Sequence, residues 1–176
     1  MNVTAPDLAR RAAAMRLAFD RTFAAPVRIA TAIHHDLLAV RLGADPYALR
    51  LAEVGGLFAD RKITRVPGSA AALLGIAGFR GALMPVYSLR TLLGSNSTQM
   101  PRWLLVAAHA PLALAFDSFD GHLRVTADTI HPDQQKQARR FVPEFVRVGD
   151  LVRPIIHLPS VVAALGTTTE APGKRE

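Results

Sequence analysis

The 176-residue chain has no cysteine, few aromatic residues (6%) and fewer acidic side chains (14) than basic ones (21). Without cysteine there is no disulfide framework, no thiolate nucleophile and no cysteine-liganded zinc or iron–sulfur site. Scarce aromatics leave no tract in which rings alternate with cations for base stacking. Long hydrophobic runs are also missing. The most apolar stretch, Trp103 to Phe116, is shorter than the roughly 20 residues a bilayer needs and is interrupted by His109 and Pro111. The first 23 residues place Arg10, Arg11, Arg16 and Arg21 where a secretory signal wants a continuous apolar block. A cytoplasmic protein with no direct membrane insertion is the expectation.

What is present is a 50% hydrophobic composition, enough for a packed core, and a net charge of +7 carried by 18 Arg and 3 Lys. The cations come as singles and pairs, such as Arg61 with Lys62 and Arg139 with Arg140, rather than as a run. Nucleic acid is therefore not the expected partner, although a basic β-barrel binding nucleic acid remains the alternative from another functional class.

Thr4 with Asp7 reads as a capping box, and Leu8, Ala12, Met15, Phe19 and Phe23 are spaced as one helical stripe expected to end at Pro26. Such a helix either docks on the protein itself or serves a membrane surface or partner. From Asp36 the period falls to two: Leu38, Val40 and Leu42 alternate with Leu37, Ala39 and Arg41, a strand pattern. Turn signals at Asp120-Gly121, Gly149-Asp150 and Gly81 suggest hairpins. Short strands without a crossover helix between them point to a small barrel or sandwich. His131 to Arg140 reads as a polar loop, and the tail from Gly166 reads as disordered.

An internal repeat organises the rest. Pro46, Ala48, Leu49 and Gly56 match Pro111, Ala113, Leu114 and Gly121 at a constant offset of 65 residues. Pro85 and Leu89 match Pro154 and Leu158 at an offset of 69, so the second copy has grown by four residues. Two β-units of about 60 residues would each be marginal alone, so they should pack together.

Catalytic chemistry finds little support. The histidines lack ligand spacing, and no serine sits in a nucleophile elbow. The glycines from Gly75 to Gly81 lack the Lys and Ser or Thr of a phosphate loop. Asp117 and Asp120 suit a turn better than an acid–base couple, which leaves a small hydrolase as a residual reading. One charge pair stands out. Strict alternation would put Glu53 on the face of Leu49 and Leu51, and Arg80 on the face of Leu74 and Ile76, where the two could pair across neighbouring strands.

The segment from Ala52 to Gly94 resembles the core of the CheW-like family, the scaffold proteins of bacterial chemotaxis, whose pattern reads V-x-E-V, Pro, G-x-x-N-L-R-G, then V-P-V-x-D-L-R. Glu53, Pro67, Gly75, Arg80, Gly81, Pro85, Val86, Leu89 and Arg90 fall on matching positions. The second copy matches through Asp117 and through the hairpin of VRVGDLVRPIIHL. Departures stand at Gly78 (usually Asn), Ser88 (Asp), Ala113 (Gly) and His157 (Asp or Asn). The resemblance covers Asp36 to about Leu165.

The resemblance implies an all-β fold of two Src homology 3-like five-stranded barrels in a pseudo-repeat, with an added N-terminal amphipathic helix and a short C-terminal helix. It divides the chain into a helix and linker (1–35), a CheW-like domain with barrel one at about 36–94 and barrel two at about 102–165, and a tail (166–176). It further implies an adaptor without catalysis, cofactor or metal, joining the cytoplasmic tip of chemoreceptors to the regulatory domain of the histidine kinase CheA. Leu51, Glu53, Gly75 and Arg80 then fall on positions at or near the receptor contact.

Overall fold

The computed structural model describes residues 33–67, 71–95, 101–133 and 140–166. The N-terminal helix and most of the C-terminal tail expected from the sequence lie outside the described residues.

Among the described residues eleven strands form two sheets. β1 (His34–Leu42), β2 (Asp45–Arg50), β8 (Ser118–Thr126), β9 (Ile130–Pro132), β10 (Glu144–Val148) and β11 (Leu151–Ile156) build sheet one, in the order β8-β1-β2-β11-β10-β9. β3 (Val54–Ala59), β4 (Leu73–Phe79), β5 (Ala82–Ser88), β6 (Trp103–Ala107) and β7 (Ala113–Phe116) build sheet two, in the order β3-β6-β7-β5-β4. A short helix α1 (Leu89–Leu92) follows β5, and α2 (Leu158–Gly166), the expected C-terminal helix, follows β11.

The repeat is real in three dimensions, but the sheets do not follow the sequence halves. Sheet two takes β3, β4 and β5 from the first copy and the hairpin β6-β7 from the second, while sheet one takes β8 to β11 from the second copy and the hairpin β1-β2 from the first. The expected division into barrels at 36–94 and 102–165 is corrected accordingly. Equivalent junctions show the exchange. Val86 pairs in parallel with Ala113, and Ile155 pairs in parallel with Ala48. The repeat offsets carry each of these pairs onto the other.

Both sheets curl back on themselves. In sheet one the two edge strands, β8 and β9, are consecutive in the chain, and Val125 and Leu123 of β8 join Ile130 of β9 in one cluster. In sheet two the edges are β3 and β4, and Phe58 meets Phe79 with ring centroids 5.1 Å apart. Each curled sheet holds its own core, and a third core lies between them.

The exchanged strands are buried on both faces, as a near-continuous apolar strand requires. In β1, Leu37 enters the core of sheet one, whereas Leu38, Val40 and Leu42 enter the shared core. In β7, Ala113 and Ala115 fill sheet two, whereas Leu114 and Phe116 fill the shared core. Leu89 opening α1 and Leu158 opening α2 are the repeat equivalents found in sequence, and both are buried in that shared core.

Turn chemistry has mixed outcomes. Arg80-Gly81 joins β4 to β5 with φ of 48° and 86°, the positive values of a two-residue primed turn. Gly149-Asp150 joins β10 to β11 as expected. Asp120-Gly121 is no hairpin: both lie inside β8, where Gly121 pairs with Ala39 and Phe119 with Val40, so Asp120 is a bulged residue. Its carboxylate is held by Arg41 at 2.9 Å and by buried Arg153 at 2.7 Å, which a turn tip could not arrange. The polar segment after His131 is also not all loop, because His131 and Pro132 belong to β9. At the other boundary β1 begins at His34, inside the expected linker.

Candidate functional site

The four residues singled out in sequence separate into two places. Leu51 and Glu53 lie on a 3-10 turn, Leu51–Glu53, between β2 and β3. The turn breaks the alternation expected there, so Leu51 is 39% exposed while Leu49 is fully buried. Glu53 rotates toward α2 rather than along a strand face. Its Oε2 accepts the backbone N–H of Leu158 at 2.9 Å, and His157 Nε2 lies 4.0 Å from Oε1. The His157 carbonyl accepts the N–H groups of Ser160 and Val161, and its Nδ1 is 2.7 Å from Ser160 Oγ. A carboxylate at this helix start satisfies an orphan donor and meets the positive end of the helix dipole.

Glu53 therefore does not pair with Arg80. Among the described residues no ion pair links them, and the expectation from strand alternation is corrected. Arg80 occupies the first position of the β4–β5 turn, exposed, with its guanidinium carbon 5.9 Å from the centroid of the Phe58 ring. Gly75 is a packing residue. Its φ is +146°, and a Cβ built there would stand 2.1 Å from the Thr64 carbonyl oxygen, where the loop bridges to Ile76 of β4. No side chain fits.

Beside Glu53 an apolar groove of about 240 Å3 runs between Ala107 and Ala108, at the end of β6, and Leu158, Pro159 and Val162 of α2. The family resemblance implied this helix, but nothing local to Glu53 pointed to their contact. Sequence reasoning also missed a second carboxylate link. Asp117 accepts from Arg90 of α1 and from the Gly43 N–H at 2.5 Å, and the Arg90 and Asp117 side chains are 13% and 11% exposed. Asp117 follows β7 as Glu53 follows β2, so each carboxylate ties the end of an exchanged hairpin to the helix beside it.

Asp120 lies between two guanidinium groups. Burial raises its carboxyl, but the hydrogen bonds and charges of Arg153 and Arg41 outweigh that and hold it below the usual value. Arg153, only 6% exposed, also donates to the carbonyls of Val40 and Tyr47. This cluster braces β8, β1 and β11 and lies apart from the groove. Among the described residues no group of His, Asp or Glu could hold a metal ion.

The family model for the CheW-like domain matches residues 36–165. The chain belongs to the CheW-like family. That match takes in both sheets, save the first two residues of β1, and all four candidate residues. The crystal structure of the scaffolding protein TtCheW from Thermoanaerobacter tengcongensis superposes with a TM-score of 0.65 at 19% identity, over 70% of this chain and 89% of that one. At that identity the likeness establishes the CheW-like fold. No curated protein matches the sequence.

Proposed function

We propose that this protein is a chemotaxis adaptor that couples the cytoplasmic tip of chemoreceptors to the regulatory domain of CheA, acting through protein contacts in the cytoplasm and without catalysis. The CheW-like match across residues 36–165 carries this reading. Two curled sheets with separate cores and a shared third core suit a pair of Src homology 3-like barrels built from exchanged strands. Such a body presents two faces at once, so one partner can be held at high effective concentration for the other.

For the receptor side the reading uses Leu51, exposed on the 3-10 turn, and Arg80, exposed on the β4–β5 turn. Glu53 and Gly75 support it from behind, the first by holding α2 and the second by letting the Thr64 loop approach β4. The apolar groove beside Glu53 adds surface to that receptor contact.

The charge balance disfavours the nucleic-acid alternative. Arg41, Arg50, Arg90, Arg102 and Arg153 are each engaged by a carboxylate, so these cations are not free for phosphate. Among the described residues no helix is long and apolar enough to cross a membrane.

Titration of the full chain with a receptor-tip fragment and with the CheA regulatory domain tests the reading. A ternary complex whose affinity falls far less steeply with salt than oligonucleotide binding would supports it. Binding to neither partner, together with oligonucleotide affinity that collapses as salt rises, would replace it with the basic-barrel reading.

A further inference from the structure

Arg80 stands where its residue type is least at home. Both positions of a type I′ turn need positive φ, a setting that favours Asn, Asp or Gly, yet Arg80 adopts φ of 48° there. What the position gains is the side chain. Its guanidinium lies over Phe58, and a second guanidinium, that of Arg61, lies 5.3 Å from the centroid of the same ring. Among the described residues no carboxylate pairs with either; the neighbouring acid, Asp60, is taken by Arg102 through contacts of 3.1 to 3.3 Å.

Gly56 makes the platform possible. It lies two residues before Phe58 on edge strand β3, and a Cβ there would come within 2.9 Å of Phe58 Cε2 and 3.8 Å of Arg80 Nη2. The ring and the guanidinium fill the space that a side chain would occupy. Lys62 and Arg65 extend the positive charge along the exposed loop.

We propose that Phe58 holds Arg61 and Arg80 as a paired guanidinium site that receives carboxylates on an acidic protein face. The inference rests on the adaptor reading and names the chemistry of the partner on the Arg80 side. A guanidinium stacked on a ring keeps its N–H fork free for bidentate bonds to carboxylate. Two such forks match the enrichment of Arg at protein interfaces. A nucleic-acid strand would call for a longer cationic track and further stacking rings.

The test uses the full chain, titrated at about 0.1 M salt against a receptor-tip fragment and, separately, the CheA regulatory domain. The Arg61→Glu, Arg80→Glu double variant should weaken the receptor fragment by about tenfold or more and leave the kinase domain within about twofold. Both substitutions are exposed, so Tm should stay within about 2 °C. Gly56→Ala, which displaces the Phe58 ring while keeping both cations, should weaken the same complex by about threefold. Changing the fragment's acidic residues to amides should erase the difference between the double variant and the unaltered chain. An unchanged receptor Kd for the double variant would overturn the proposal, as would a larger loss toward a single-stranded oligonucleotide than toward the fragment. If the unaltered chain bound the kinase domain but not the receptor fragment, the receptor half of the adaptor reading would fall, and this assignment with it.

Discussion

The carboxylate of Glu53 accepts the backbone N–H of Leu158 at 2.9 Å, so a residue on the turn after β2 closes the start of a helix 105 residues later. That contact spans the exchanged hairpin and the last strand of sheet one, and it shapes the wall of the apolar groove. Glu53→Ala leaves a part-buried donor without its partner and should cost about 1 to 2 kcal/mol. Glu53→Gln keeps an acceptor and should cost about 0.5 kcal/mol, since only the charge–dipole contribution is lost. Urea denaturation measures both. A double-mutant cycle of Glu53→Ala with Arg80→Ala should show coupling below about 0.5 kcal/mol, as for residues without a shared partner.

Asp120 should give the protein an acid limb. Its carboxyl is held below the ordinary value in the folded state, so the folded protein binds its proton less readily than the unfolded chain. The stability it contributes is complete above the unfolded pKa and is lost as pH falls through the lower folded value. Urea midpoints followed from about pH 6 to pH 2 should fall more for the unaltered protein than for Asp120→Asn. At neutral pH, Asp120→Ala should cost about 2 to 4 kcal/mol because it strands buried Arg153, and adding Arg153→Met should recover part of that loss.

Exposure should separate two ion pairs that look alike in the sequence. Asp117→Ala removes the partner of Arg90 and the acceptor of the Gly43 N–H, both largely out of water, and should cost about 3 kcal/mol. Asp60→Ala breaks a pair whose side chains are 65% and 66% exposed, and should cost less than about 0.5 kcal/mol. Thermal or urea unfolding of the two variants side by side checks the contrast.

Two glycines of the same strand should differ just as sharply. Gly75→Ala drives a methyl into the Thr64 carbonyl at a φ that side chains avoid, and should cost more than about 2 kcal/mol. Gly78→Asn, which restores the residue usual in the family, meets open space and should change stability by less than about 0.5 kcal/mol. A stable Gly75→Ala protein that fails only in receptor binding would assign Gly75 to the contact itself instead of to the loop packing behind it.

The alternation from Asp36, the hairpins at Gly81 and Gly149, and the repeat offsets were all legible because each depends on neighbours in the chain or on direct comparison of two segments. They identified a mostly β protein made of two related copies. The family pattern was legible for the same reason, since its residues recur in fixed order. The Asp120-Gly121 signal misled because a dipeptide that favours a tight turn also accommodates the bulge of a long strand, and the choice between them rests with Arg41 and Arg153, far away in sequence.

By itself, then, the sequence determined the two copies, their apolar strands and their equivalent buried leucines, Leu89 and Leu158, since these follow from composition and spacing. Only the tertiary structure decided that the first hairpins exchange sheets, because β1 and β2 expose the same ladder of backbone donors and acceptors to either copy. It is burial of both their faces, between a sheet's own core and the shared core, that selects the partner. The same packing directs Glu53 to α2 and leaves Arg80 to Phe58, a separation that neither residue's local sequence encodes.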